Sequence, residues 1–338
     1  MASSSPSDGA GKTPAVVGWI GLGSIGSAIA RVQSHPITLR GIGGAGGQEV
    51  RVHCRTGTRR RHRVHIDEPV SYESPEVKRR RCGPSIAEQI VHSGDVKGKV
   101  IVDTTTVHPD TTQAVAATLA SKGAHFAAMP VFEATPVAEA GQLLAGFAGS
   151  DAALDAVSPL LKGVLAREVL VVGQEPEKAS LLKTTGNVLM ASLMQIIAEA
   201  HVFAAKTGLP EATLERLLEL NFGPVMHSDS TRMTTGVYCP GPGQKPWSDL
   251  QLAMKDVGQG VGIAERQGVS LRIGQRALEN LKKANEWRES SQGGGRSLDS
   301  SSVFGVVRQE SGLGFETEFV KARDGDGAAT ADSESNNR

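Results

Sequence analysis

The sequence is poor in the residues that mark several common classes of protein. It has only three cysteines, Cys54, Cys82 and Cys239, and their spacing fits neither a disulfide framework nor a structural zinc site. Basic and acidic residues number 36 each, so the zero formal charge gives no overall attraction to nucleic acid or acidic membranes. No run approaches the roughly 18 apolar residues that a membrane span needs. We therefore expect a soluble, cytoplasmic protein with no bound metal, no nucleic-acid partner and no membrane partner.

Strand and helix patterns alternate through the first half of the chain. Apolar runs at 16–20, 100–102, 124–131 and 169–172 predict buried strands. Helical spacing follows at 24–33, 109–121 and 152–161. Such alternation is typical of a parallel sheet with helices on its faces.

The second half changes to helix alone. No strand pattern follows residue 172, and residues 177–206 contain one glycine and predict a single long helix. Further helices are predicted at 211–220, 249–267 and 273–287. We predict an α/β Rossmann-type parallel-sheet domain over 15–175 and an all-helical domain over 176–321, joined by the long helix. The small, polar stretches 1–14 and 322–338 are predicted to be disordered tails.

The segment 34–95 departs from this regularity. It contains a glycine-rich run and arginine blocks at 59–61 and 78–81, and no run of four apolar residues lies between Val64 and Val100. Such a composition does not suit a buried parallel strand. We predict an irregular segment that leaves the cofactor pocket partly open. A nucleic-acid patch is the functional alternative, but no aromatic residues interleave with the arginines, so exposed, solvated charge is our interpretation.

A glycine motif, Gly21-Leu22-Gly23-Ser24-Ile25-Gly26, directly follows the first predicted strand and opens a helical pattern. The first glycine permits a tight turn, the second lets a pyrophosphate approach the backbone, and the third packs helix on strand. The N-terminus of the helix offers free N–H groups to the phosphates. The motif predicts a dinucleotide-binding site.

The end of the second strand decides which dinucleotide binds. One candidate is 50–54, followed by Arg55 and Thr56, and the other is 37–40, which ends at Arg40. Neither ends in the acid that binds the ribose hydroxyls in NAD enzymes, whereas an arginine accommodates a 2′-phosphate. Both candidates favour NADP, with NAD possible as well, and the choice between the strands stays open.

The order of these motifs resembles the β-hydroxyacid dehydrogenases, a family that includes 3-hydroxyisobutyrate dehydrogenase and the cofactor domain of 6-phosphogluconate dehydrogenase. The resemblance covers about residues 15–56 and 96–320. Asp103-Thr104-Thr105-Thr106 is similar to the family's Asp-x-Ser-Thr segment, which implies that Thr106 lies near the nicotinamide and Thr105 near the substrate. The stretch that begins Pro130-Val131-Phe132 is similar to the family's substrate signature and implies a substrate contact at Phe132. Glu133 replaces a family glycine and would repel a substrate carboxylate if it pointed inward.

Two lysine motifs complete the resemblance. Lys183 and Asn187 are four residues apart and share a helix face. The family implies that Lys183 is catalytic and that Asn187 orients the substrate. A lysine ammonium can both stabilise and protonate the oxygen of a carbonyl that accepts hydride. Met254-Lys255-Asp256 resembles the family's Lys-Asp-Leu segment, which implies that Lys255 reaches the cofactor side of the site.

These features predict an NADP-dependent oxidoreductase that transfers hydride between nicotinamide and a small carbonyl/alcohol pair of the 3-hydroxyacid type. Lys183 would act as general acid and base, with the active site between the two domains. The resemblance also implies a homodimer through the helical domains. The alternatives are an imine reductase, which commonly lacks this lysine, and a non-catalytic dinucleotide-binding module.

Overall fold

The structure is a computed structural model that describes residues 17–20, 39–42, 86–92, 94–133 and 135–325. The strands in these ranges are β1 (Val17–Ile20), β2 (Leu39–Ile42), β3 (Val100–Asp103), β4 (His125–Ala128), β5 (Val131–Phe132), β6 (Leu143–Gly149) and β7 (Ala166–Gly173). The helices are α1 (Ile86–His92), α2 (Pro109–Ala120), α3 (Thr135–Glu139), α4 (Asp151–Val157), α5 (Glu177–Thr207), α6 (Glu211–Phe222), α7 (Pro224–Thr234), α8 (Leu250–Arg266), α9 (Arg272–Glu289) and α10 (Val303–Glu310).

The chain divides into two compact units. The first unit comprises Met1–Lys97, Val131–Ala145 and Asp151–Leu170. The second comprises Gly98–Pro130, Gly146–Ser150 and Val171–Arg338, so it unites β3, α2 and β4 with α5 and all later helices. The predicted division at residue 175 into a Rossmann domain and a helical domain stays a prediction.

The second unit contains part of a mixed sheet. β3 and β4 are parallel, in a register that runs from Val100 opposite His125 to Asp103 opposite Ala128. The end of β6 is antiparallel to β4, with Ala127 opposite Gly149. A Cβ on Gly149 would lie 2.7 Å from the Cβ of Ala127, so only glycine permits this close pairing. The sheet therefore contains parallel strands, as predicted, together with an antiparallel strand that the sequence pattern did not predict.

Two strand pairs lie within the first unit. β1 and β2 are parallel, with Gly18 opposite Arg40, and β5 is antiparallel to the start of β6. The candidate second strand that ends at Arg40 is thus a strand, although Arg40 lies inside it rather than at its end. The other candidate, with Arg55 and Thr56, lies outside the described residues, as does the glycine motif Gly21–Gly26.

Several predicted boundaries need correction. The predicted strand 124–131 is two strands, because Pro130 has no N–H for a ladder and its carbonyl instead accepts a hydrogen bond from the Gly146 N–H at 3.0 Å. Within the segment 34–95, the described residues form β2, which overlaps one of the two candidate strands, and α1, so the predicted irregularity of the rest stays a prediction. The predicted C-terminal tail overlaps residues held in place: Arg323 donates to the carbonyl of Cys239 at 2.8 Å, and Asp324 pairs with Arg296.

The long helix α5 forms the centre of the helical core. It packs against α7, α8, α9 and α10, and buries residues such as Ile197 and Ala198 completely. By length and composition α5 could also cross a membrane, with a mean hydropathy of 1.6 over an 18-residue window. Half of that window is buried inside the protein, and a single helix of this kind is weak evidence for a membrane span because the core helix of a soluble protein can pass the same test.

Two glycines let the neighbouring helices approach α5 closely. A Cβ on Gly260 of α8 would lie 2.3 Å from Cγ2 of Val188, and one on Gly274 of α9 would lie 2.8 Å from Cγ1 of the same side chain. Val188 therefore packs directly against the backbones of α8 and α9. This packing fixes the position of α8 along the axis of α5, next to the residues of the candidate site.

Candidate active site

The loop between β3 and α2 supplies one wall of the candidate site. The Asp103 carboxylate, at the end of β3, accepts a hydrogen bond from the Thr105 N–H at 2.9 Å and so turns the chain out of the sheet. His108 caps α2 by accepting from the Asp110 N–H, and Pro109 occupies the first turn, where its missing N–H costs nothing. The loop therefore has a fixed shape and presents the Thr106 carbonyl to its surroundings.

Lys255 of α8 reaches this loop. Its Nζ donates to the Thr106 carbonyl at 2.8 Å and lies 2.9 Å from Oδ1 of Asp256. The side chains of Lys255 and Asp256 are only 17% and 15% exposed, so this ion pair is largely shielded from solvent. Such shielding strengthens the interaction between the charges relative to a surface pair.

Asp256 links α8 to α5. Its Oδ2 accepts a hydrogen bond from Nδ2 of Asn187 at 3.0 Å. Burial raises the pKa of Asp256 above its ordinary value, and the positive charges of Lys255 and Lys183 oppose that rise. Lys183 lies one helical turn before Asn187, on the same face, and its ammonium group is close enough to act on the Asp256 carboxylate. One carboxylate thus contacts Lys255 and Asn187 directly and lies within range of the charge of Lys183.

The start of α5 is anchored to α2. The buried hydroxyl groups of Thr112 and Ser180 share a hydrogen bond of 2.7 Å. Ala179 and Ser180, in the turn before Lys183, are both buried. This anchored turn sets the position of Lys183 relative to the loop.

A contact that sequence reasoning missed lies at the other end of α8. Nη2 of Arg266 lies 2.8 Å from Nε2 of His108, so the last turn of α8 also contacts the loop. The Nδ1 atom of His108 lies 3.5 Å from the Asp110 carboxylate. A histidine immediately before Pro109 could have been interpreted as a helix cap from the sequence, but nothing in the sequence identified Arg266 as its partner.

The structure brings together four of the residues predicted for the site. Thr106, Lys183, Asn187 and Lys255 all belong to the second unit and are linked through Asp256. Thr105 lies in the same loop and is exposed. The predicted phosphate-binding residues, Gly21, Leu22, Gly23, Ser24, Ile25 and Gly26, and the predicted ribose-side residues, Arg55 and Thr56, lie outside the described part of the chain.

The predicted substrate turn belongs to the first unit. Phe132 is half-buried in β5, and Glu133 follows it with a φ of 92°, a conformation that favours the glycine found there in the family. The exposed Glu133 carboxylate forms an ion pair of 3.0 Å with Arg167. The positive charge of Arg167 therefore offsets the negative charge of Glu133, which was expected to repel a substrate carboxylate.

The described residues fit the nicotinamide end of a dinucleotide. The hydroxyl groups of Thr105 and Thr106 form no hydrogen bond to any described residue, so both remain available to a ligand. Within 86–92, 94–133 and 135–325, no three histidine, cysteine or acidic side chains come together as a metal site would require. The donors present are hydroxyl, amide and ammonium groups, which suit an organic cofactor and a polar substrate.

Comparisons with known proteins agree with this chemistry. The model of the NAD binding domain of 6-phosphogluconate dehydrogenase matches residues 85–203, which include Thr106, Lys183 and Asn187. The chain is 31% identical over 230 residues to an NADH-dependent oxidoreductase of Aspergillus ustus, covering 68% of this chain and 75% of that protein. It is 26% identical over 314 residues to the mitochondrial 3-hydroxyisobutyrate dehydrogenase of Rattus norvegicus, covering 89% of each. The solved structure of Mycobacterium tuberculosis 3-hydroxyisobutyrate dehydrogenase with L-serine shares the fold, with a TM-score of 0.61 and 20% identity over 86% of this chain and 98% of that one.

Proposed function

Because the chain belongs to the β-hydroxyacid dehydrogenase family, whose members are NAD(P)-dependent dehydrogenases and reductases acting on a CH–OH group, we propose that it interconverts a small carbonyl compound and its alcohol, of the 3-hydroxyacid type. One observation carries the proposal. Asp256 contacts Asn187 and Lys255 directly beside the Thr106 loop, and Lys183 lies one turn before Asn187 on the same helix face, so the proton donor and the substrate-orienting amide that carbonyl reduction uses lie close together.

Each residue of the site has a separate role in this reaction. A bound nicotinamide supplies or accepts the hydride. Lys183 donates a proton from Nζ to the carbonyl oxygen as negative charge develops there, and takes it back in the oxidative direction. Asn187 is held by its bond to Asp256, so its amide oxygen and second N–H are oriented for the substrate. Asp256 keeps Lys255 and Asn187 in position without reacting itself.

The proposal is tested by a screen of cofactor oxidation with small aldehydes, semialdehydes, keto acids and cyclic imines. With the best substrate, Lys183→Ala should lower kcat by about 10²- to 10⁴-fold, as expected for loss of a positioned general acid. Dinucleotide affinity, measured by fluorescence titration, should stay within a few-fold. Lys206→Ala, an exposed position in the last turn of the same helix, is the matched control and should leave both quantities unchanged.

Other results would point to the alternatives. Turnover of cyclic imines alone would favour an imine reductase. Tight dinucleotide binding without turnover of any compound would favour a non-catalytic module. Full activity in Lys183→Ala would contradict the proposed mechanism.

We propose that NADPH is preferred to NADH. No acidic residue occupies 43–48, directly after β2, so the usual partner of the ribose hydroxyls in NAD enzymes is missing there. Arg55, which follows the other candidate strand, would accommodate the 2′-phosphate. Titration of the full chain with both reduced cofactors should give the lower Kd for NADPH, and tighter binding of NADH would refute the preference.

We also propose a cytoplasmic homodimer formed through the helices. Large apolar side chains, 44–68% exposed, follow one side of α5: Leu181, Leu189, Ile196 and Phe203. A second copy of α5 would cover this stripe with the same kind of surface, as two-fold symmetry allows. The buried, unpaired Cys239 suits a reducing compartment, and fractionation of cells that express the full chain tests the location.

A further inference from the structure

One stripe of α8 faces the loop between β3 and α2. Lys255 contacts the Thr106 carbonyl, and Arg266, three turns later, contacts His108. Residues advance by about 100° each around a helix, so Arg266 lies within about 20° of Lys255 when viewed down the axis. The two contacts therefore hold both ends of this stripe against the loop.

Gln259 lies on the same stripe, between these two contacts. It is one turn beyond Lys255 and within about 40° of it around the axis, so it also faces the loop. Its Oε1 atom is buried and accepts no hydrogen bond from any described residue. A buried amide oxygen without a donor destabilises the folded protein, which is a reason to expect that a ligand supplies the donor.

We propose that Gln259 binds the carboxamide group of the nicotinamide, accepting a hydrogen bond from its N–H at Oε1. The inference rests on the proposed function, which brings the nicotinamide to Thr106. The carboxamide is a neutral amide donor, which fits a neutral acceptor on the same side of α8 as Lys255. Gln259 then acts as a cofactor-positioning residue that selects the orientation of the ring.

The experiment compares two cofactors that differ in this one group. NADP⁺ carries the carboxamide, whereas its 3-acetylpyridine analogue has a methyl group in place of the NH₂. Both are titrated by calorimetry, without substrate, into the full chain and into Gln259→Leu and Gln259→Met. Gln251→Leu, an exposed position in the first turn of α8, is the matched control. Unfolding midpoints show that each variant is folded, and the two NAD⁺ counterparts are used if NAD⁺ binds more tightly.

The native chain and Gln251→Leu should bind the carboxamide cofactor about tenfold more tightly than the analogue, the effect of one hydrogen bond to a buried acceptor. In Gln259→Leu and Gln259→Met the two affinities should become equal within about twofold. Equal affinities in the native chain, or discrimination retained in a folded Gln259 variant, would overturn this inference and leave the proposed function standing. A native chain that binds neither cofactor would overturn the proposed function itself.

Discussion

The close approach of α8 to α5 at Gly260 predicts a large effect for a very small substitution. In Gly260→Ala the new methyl group would lie 2.3 Å from Cγ2 of Val188 and 3.1 Å from Cγ2 of Thr184, so the helices must separate. Overpacking of this kind typically costs about 1–3 kcal/mol. Alanine also has a better helix propensity than glycine, by about 0.8–1 kcal/mol, which offsets part of that cost.

Gly258→Ala isolates the steric cost. It lies in the same helix, and the nearest side-chain atom to its new Cβ, Cδ1 of Leu278, is 4.0 Å away. The gain in propensity is common to both variants, so their free energies of unfolding should differ by about 1–3 kcal/mol, with Gly260→Ala the less stable. Urea unfolding followed by circular dichroism measures this difference.

The same substitution should disturb the site. Lys255 and Asp256 lie about one turn before Gly260, so separation of the helices moves them away from Lys183 and Asn187. A displacement of about 1 Å can lower turnover by about 10²-fold. Adding Val188→Ala to Gly260→Ala should recover part of the lost activity, because it removes the clashing methyl groups. Equal stability and equal activity of the Gly258 and Gly260 variants would refute this account of the packing.

Two further predictions concern the helical region. Light scattering of the native chain should give twice the 35.4 kDa mass of one chain, and a monomeric mass would refute the dimer. Phe203 is 68% exposed on the apolar stripe, so Phe203→Glu should lower the measured mass toward that of the monomer. Burial lowers the pKa of His201 in the folded protein, and the charge of Glu215 opposes part of that shift. Below pH 6.5 the unfolded chain therefore binds a proton at this histidine more readily than the folded protein does, so the free energy of unfolding should fall as the pH drops. Above pH 6.5 the histidine is neutral in both states and that contribution is fully present. In His201→Gln, which can keep a bond to Ser230, urea midpoints should vary less between pH 7 and 5; an unchanged pH dependence would exclude His201 as the cause.

Local patterns in the sequence were sufficient for several elements of the fold. The apolar run 100–102 and the helical patterns at 109–121 and 177–206 depend on neighbouring residues alone, and the structure confirms the strand and both helices. The helices predicted at 249–267 and 273–287 are confirmed for the same reason, since an amphipathic pattern is local information. The order of the motifs likewise identified the family.

Tertiary structure decided how those elements meet. β6 has the sequence Leu-Leu-Ala-Gly-Phe-Ala-Gly, which carries little strand propensity, and it is a strand because β4 and β5 pair with it and Gly149 fits against Ala127. The bond from Asn187 to Asp256 spans 69 residues, and the one from Lys255 to Thr106 spans 149. Neither spacing carries a periodic signal, because such partners are selected by the packing of α8 on α5 and not by their neighbours in the chain. The sequence alone therefore predicted which side chains would be chemically useful, whereas the bond from Asn187 to Asp256 and the unsatisfied amide oxygen of Gln259 emerged only once the helices were packed together.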